Sequence, residues 1–169
     1  MFFEKNRSDS KEKIIEAILC DKYNNYYRLA YSYTYSEADA ADIVQEGAYK
    51  AIKYSDSLKN SQYAESWIYR IMLNEIYRFL GKRKEIPTED EMMPQQGKED
   101  QYENIDVKRA LDNMDYKDKA VIELRYFEDM TLEEIARALE ENLSTVKSRL
   151  YRGLRKLRLE MEDESYGKK

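Results

Sequence analysis

Residues 131–158 read TLEEIARALEENLSTVKSRLYRGLRKLR. Thr131 followed by Glu134 has the form of a capping box, in which the threonine side chain bonds the N–H three residues on and the glutamate reaches back. Leu132, Ile135, Ala136 and Leu139 then recur at helical spacing, which predicts a short amphipathic helix. Glu140 to Leu143 make a turn, Ser144 is placed to cap a second helix, and Val146, Leu150, Leu154 and Leu157 give that helix an inward face. Two short helices, a tight turn and a small Ala136 where the helices must approach closely make a helix-turn-helix.

The second helix is strongly basic. From Ser144 to Arg158 it carries Lys147, Arg149, Arg152, Arg155, Lys156 and Arg158 with no acid, although the whole chain has a net charge of −5. A recognition helix needs Arg or Lys for guanine edges and hydroxyls for phosphates or bases near its N-terminus. Thr145, Lys147, Ser148, Arg149, Tyr151 and Arg152 supply those types, so the overall acidity conceals a local DNA-binding charge. The plainer alternative is a solvated basic face on a protein-binding helix.

Working outward, the 169 residues include only 5 Gly and 2 Pro, little material for strands joined by tight turns, and the fold expected is all-α. The single Cys20 and the absence of His argue against a disulfide framework, a metal site and His-dependent catalysis. No glycine-rich phosphate loop is present either, so neither an enzyme nor a cofactor is expected. No apolar run approaches the ~20 residues that span a bilayer, and MFFEKNRSDSK is too polar for a signal peptide, which places the chain in the cytoplasm.

Both prolines, Pro87 and Pro94, fall in EIPTEDEMMPQQGKEDQYEN, a stretch without apolar period and with seven acids against Lys98 alone. It reads as an acidic flexible linker over 85–104, able to reach ~70 Å when extended. Two small helical domains are therefore expected, 10–84 and 105–160, the second containing the helix-turn-helix. In the first, helices are expected around Lys11 to Cys20, through Tyr23 to Tyr33, from Ser36 to Ile52, and from about Ala64 to Lys82. Ser36 with Asp39 resembles a capping box, and Ala40, Ile43, Val44, Gly47, Ala48, Ala51 and Ile52 form the inward side of the third helix. Its other side carries Glu37, Asp39, Asp42, Gln45, Glu46 and Lys50. The fourth is expected to bury Ile68, Ile71, Met72, Phe79 and Leu80, and its last turn is basic. Most of the 16 tyrosines read as core filling. Trp67, Tyr69 and Tyr77 lie beside the basic fourth helix, where exposed aromatics near Arg and Lys could hold unstacked bases.

The second domain begins with a helix holding Ala110, Leu111 and Met114, and a further one holding Ala120, Val121, Leu124 and Phe127 precedes Thr131.

The segments DIVQEGAYKAIK (42–53), SWIYRIMLNEIYRFLGKR (66–83), TLEEIARAL (131–139) and STVKSRLYRGLRKLR (144–158) resemble those of a known family. It is the small two-domain sigma factors of bacterial RNA polymerase, the extracytoplasmic-function group. The resemblance implies a first domain that binds core RNA polymerase and helps melt the minus-10 element, and a second that reads the duplex minus-35 element. Asp42, Gln45 and Glu46 match the family's polymerase-docking segment. Leu58 lies in the matching base-capture loop, Arg70 and Asn74 match positions lining its pocket, and Trp67, Tyr77 and Arg78 extend that minus-10 set. Lys147, Ser148, Arg149, Tyr151 and Arg152 match the minus-35 readers, and Thr145 joins them on chemistry. An anti-sigma factor, often membrane-bound in such a group, is an implied partner; no small-molecule substrate is.

The chain departs from the family at Ala48 and Tyr49, where an aromatic then an aliphatic residue is usual, and at Glu140 and Glu141, commonly small or apolar. Two rival functions fit parts of the sequence: an ordinary helix-turn-helix regulator acting without being a polymerase subunit, and a helical adaptor that binds only protein.

Overall fold

A computed structural model describes the backbone of residues 2–85 and 104–167, with side chains described for 9–83 and 107–163. The described residues contain helices and no strand, as expected of an all-α chain, and they divide into two compact units, Met1–Gln95 and Gln96–Lys169. The expected linker lies outside the described residues except at its ends: Glu85 closes the fourth helix and Asn104 opens the fifth.

The first unit contains α1 (Phe2–Asp21), α2 (Tyr23–Thr34), α3 (Glu37–Lys53) and α4 (Ala64–Glu85), with two single-turn 3-10 helices, Ser55–Ser57 and Ser61–Tyr63, between the last two. Ser36 starts α3 by accepting the Asp39 N–H at 3.2 Å. The helix then packs against both α2 and α4. Its approach to α4 depends on Gly47, because a Cβ there would lie 2.4 Å from the Met72 sulfur. Beneath it, Tyr26 and Tyr69 meet edge to face at 4.9 Å, an arrangement that contributes about 0.5–1.5 kcal/mol beyond area burial.

The tyrosines are not mainly core. Tyr26, Tyr33 and Tyr69 are buried, whereas Tyr23, Tyr27, Tyr31 and Tyr35 form a row of ring contacts along α2, with centroids 6.1–6.5 Å apart. Spacing by four residues stacks them on one side of the helix, away from the side that Tyr26, Leu29, Ala30 and Tyr33 bury. The inward side of α4 is likewise shifted. Ile68, Tyr69, Met72, Leu73 and Ile76 are buried, while Ile71, Phe79 and Leu80 are only half-buried.

The second unit contains α5 (Asn104–Asp112), α6 (Tyr116–Tyr126), α7 (Leu132–Leu139) and α8 (Leu143–Gly167). Helix α8 packs on α5, α6 and α7, with Val146, Leu150 and Gly153 buried. Met114 is buried just beyond the end of α5, and Phe127, expected inside, caps α6 at 63% exposure. The capping box at Thr131 and Glu134 is present with both of its hydrogen bonds, 3.2 and 2.8 Å.

The turn that follows is a Schellman closure. Glu140 adopts the left-handed conformation (φ 53°), its N–H bonds Arg137 O, and the Glu141 N–H bonds Ala136 O. The cap of α8 is Asn142 rather than Ser144. Asn142 Oδ1 accepts the Thr145 N–H and both the Ser144 and Thr145 hydroxyls, each at 2.8 Å. The fully buried small residue of α7 is Ala138, with Ala136 half-buried.

Candidate nucleic-acid and partner interfaces

Helix α8 turns its apolar stripe inward, which places Ser144, Lys147, Ser148, Tyr151, Arg152 and Arg155 on the outward side, all exposed. Tyr151 is 70% exposed, an aromatic without a core to serve. Thr145 is half-buried and bound to the cap. Six of the expected duplex readers thus begin from one helix end, but they are not equally available.

Arg149 is committed to protein. Its Nε and Nη2 donate to the two oxygens of Glu141 at 2.7 and 2.9 Å, and its Nη1 donates to Asp118 at 3.0 Å. The hydrogen bonds to Glu141 first, with those to Asp118 adding and burial opposing, hold its proton more firmly than an ordinary arginine's. Its carboxylate partners stand on α6 and in the α7–α8 turn, so Arg149 bridges three elements of the second unit. Arg152 shares Asp118, donating from Nε at 2.8 Å and Nη2 at 3.3 Å, yet keeps 62% of its side chain exposed.

In the first unit, Asp42 and Gln45 are exposed on α3, and Glu46 is half-buried beside them. Glu46 is also an ion-pair partner of Lys50 at 3.9 Å; Lys50 in turn bonds the buried Glu75 of α4, whose other oxygen lies 3.7 Å from Arg78. Tyr49 does not pack behind this face. It stands on it, 58% exposed, one helical turn from Gln45, and with Tyr54 it flanks the Lys53 ammonium at 5.7 and 5.4 Å.

Along α4 the residues Trp67, Arg70, Asn74, Tyr77 and Arg78 follow helical spacing and line the side opposite the core: Asn74 and Arg78 exposed, Trp67, Arg70 and Tyr77 half-buried. Tyr69, grouped with them on sequence, is instead wholly buried. Leu58 is also not on a free surface. It is 2% exposed, because the 3-10 turn leading into it packs on α1; the exposed residues of this loop are Asp56, Ser57, Lys59, Asn60, Ser61, Gln62 and Tyr63. No group of acids, Cys or His among the described residues could hold a metal ion. Nor is any described helix long and apolar enough to cross a membrane.

Two family models match the chain: Sigma-70 region 2 over residues 22–86, spanning α2 to α4, and Sigma-70 region 4 over residues 105–157, spanning α5 to most of α8. The chain belongs to the sigma-70 family of RNA polymerase sigma factors, in its extracytoplasmic-function group. It is 39% identical over 161 residues to RNA polymerase sigma factor SigV of Bacillus subtilis, covering 94% of this chain and 97% of that one. It is 31% identical over 132 residues to the RNA polymerase sigma-E factor of Streptomyces coelicolor, 73% and 72% of the respective chains. In fold it is similar to the sigma factor RpoE of Bartonella quintana, solved with the anti-sigma factor NepR, at TM-score 0.71, 21% identity and coverage of 87% of this chain and 96% of that one.

This sigma factor therefore directs RNA polymerase to promoters, and the reading as a regulator acting apart from polymerase is not favoured. Its family is one of non-catalytic polymerase subunits. The sequence reading missed Asp118, Glu141 and Asn142 as organisers of the sigma factor's recognition helix. Only Asn142 left a local signal, an amide side chain three residues before Thr145 where a cap belongs.

Proposed function

We propose that this sigma factor divides its task among three exposed helix faces on two domains, residues 10–84 and 105–160, joined by 85–104. The outward face of α8, with Lys147, Ser148, Tyr151 and Arg152, reads the duplex minus-35 element, and Thr145 braces its first turn. The face of α4 formed by Trp67, Arg70, Asn74, Tyr77 and Arg78 holds the unstacked minus-10 strand, with the exposed neighbours of Leu58 rather than Leu58 itself completing the capture loop. The acidic side of α3, Asp42, Gln45 and Glu46, docks on core polymerase. The sigma factor performs no chemistry of its own, acts in the cytoplasm, and is restrained by an anti-sigma factor, a reading supported by the complex in which the Bartonella quintana protein was solved.

The observation that carries this proposal is the segregation of side chains. Cationic, hydroxyl and aromatic groups lie outward from a capped helix start on α8, while a separate helix in the other unit exposes Asn74 and Arg78 beside the half-buried Trp67. In the test, the purified chain is added to core polymerase on fragmented genomic DNA and RNA 5′ ends are mapped. Initiation is expected at a restricted set of sites. Lys147→Ala should lower their use by about 1–3 kcal/mol of discrimination. Initiation indistinguishable from core polymerase alone would overturn the proposal.

A further inference from the structure

A recognition helix is useful only if its angle and its side chains are fixed before it meets a groove, and the ion cluster at the base of α8 does both. Asp118 lies in the first turn of α6, three residues after the Asp115 cap, where the helix dipole favours a carboxylate. Its side chain is 5% exposed, and both of its oxygens are taken, by Arg149 Nη1, Arg152 Nη2 and Arg152 Nε. Arg149 fills its remaining nitrogens with Glu141. One guanidinium thus ties α8 to α6 and to the turn entering α8, through planar fork contacts that fix orientation as well as distance. Three of the five N–H donors of Arg149 are engaged within the protein, and with its side chain only 17% exposed the remaining two are turned away from a guanine edge, which needs an accessible pair of donors.

We propose that Asp118, Arg149 and Glu141 form a clasp that positions the recognition helix, and that the clasp, through Asp118, presets Arg152 as a specificity-determining contact while Arg149 reads no base. The inference rests on the reading of α8 as the minus-35 reader. It assigns a positioning role to Arg149 and to two acids on a surface that must otherwise attract phosphate. Acids so close to a DNA-binding face lower non-specific attraction, and their retention is explained if the order they impose on Arg149 and Arg152 improves discrimination.

The competing account, in which Asp118 and Glu141 merely hold two base-reading arginines in reserve, predicts the opposite sign. Releasing the arginines would then sharpen recognition, whereas opening a clasp blurs it. The experiment uses holoenzyme assembled from the full chain. Wild-type holoenzyme first selects a preferred duplex from a pool randomised across the upstream element, and affinities for that duplex and for a shuffled one are then followed with KCl concentration. Asp118→Asn, nearly isosteric, should reduce the preferred-to-shuffled ratio about tenfold, with Glu141→Gln acting in the same direction but less. Arg149→Lys should fare no better than Arg149→Met, because a charge without the fork cannot close the clasp. Neither Arg149 variant should alter the salt slope. Lost phosphate contact would make that slope shallower by about one unit.

A higher ratio for Asp118→Asn, a shallower slope for Arg149→Met, or full rescue by Arg149→Lys would each overturn the clasp. Lys147→Ala serves as the reference. If it too leaves the ratio unchanged, the assignment of α8 fails and the clasp falls with it. If Lys147→Ala lowers the ratio while Asp118→Asn does not, the clasp alone is wrong.

Discussion

Helices α4 and α8 both present polar and aromatic outward faces, but their side chains are held in different ways. On α8, Arg149 and Arg152 are fixed by carboxylates from other elements, Asp118 and Glu141, at 2.7–3.3 Å. On α4, Arg78 leans on Glu75 of its own helix at 3.7 Å, and Asn74 stands exposed between it and the half-buried Trp67. Under the proposed assignments the contrast follows the ligand. A duplex offers base edges at fixed positions, so ordering the reader in advance removes an entropic penalty from binding. A base pulled from the stack has no fixed position, and a surface that receives it gains more from an aromatic plane and an adaptable amide.

The largest effect expected separates docking from both nucleic-acid faces. Asp42→Arg combined with Glu46→Arg should abolish co-purification with core polymerase and leave helix content intact, because interfaces are dominated by a few residues and like charges repel. Retained co-purification would place docking elsewhere in the first unit. Next comes the α4 face, where Asn74→Ala in holoenzyme should bind promoter duplex normally but open it poorly. Unstacking a base costs a few kcal/mol that the amide helps offset. A pre-melted minus-10 bubble should restore most of the activity; equal defects on both templates, with a lower melting temperature, would make Asn74 structural and remove one half of the contrast.

A third comparison sets the units against each other through their buried glycines. A Cβ at Gly153 would meet Ile122 Cδ1 at 2.6 Å, and one at Gly47 would meet the Met72 sulfur at 2.4 Å. Isoleucine is branched and stiff, methionine flexible. Gly153→Ala should therefore destabilise the chain by about 1–3 kcal/mol, within the usual range for overpacking, and Gly47→Ala by less, as read from thermal unfolding. Equal losses would show that Met72 has no room to move. The smallest effect expected is at the helix cap: Asn142→Ala should lose about 1 kcal/mol of stability, whereas Ser144→Ala should change little. The reverse order would restore Ser144 as the cap.

What could be read from the sequence was what local chemistry decides. Thr131 and Glu134 are three residues apart and form both halves of their box, and the stripe from Trp67 to Arg78 follows from helical spacing alone. The ion pairs of Arg149 were not legible because the acids that claim it are 31 and 8 residues away, a distance over which no periodicity carries information. Leu58 sits in a loop without a period, so only contact between its neighbouring turn and α1 reveals that it is buried. The row of tyrosines on α2 was legible in spacing but not in burial, since the same residue type fills the opposite, inward side of that helix.

Three residues, Tyr35, Asp129 and Glu140, hold left-handed backbone with φ of 52–53°, and no glycine does so among the described residues. That conformation costs a residue with a Cβ about 1–2 kcal/mol. Glycine, the usual occupant of such positions, is instead found at Gly47 and Gly153, in helix interiors where a side chain of another element lies against the helix backbone. The arrangement leaves thermal headroom at three chain reversals, one of which, Glu140, adjoins the Glu141 of the proposed clasp. Homologues from hotter habitats are expected to gain heat tolerance by placing glycine or asparagine at position 129, and at position 140 the same gain is tied to the setting of the recognition helix.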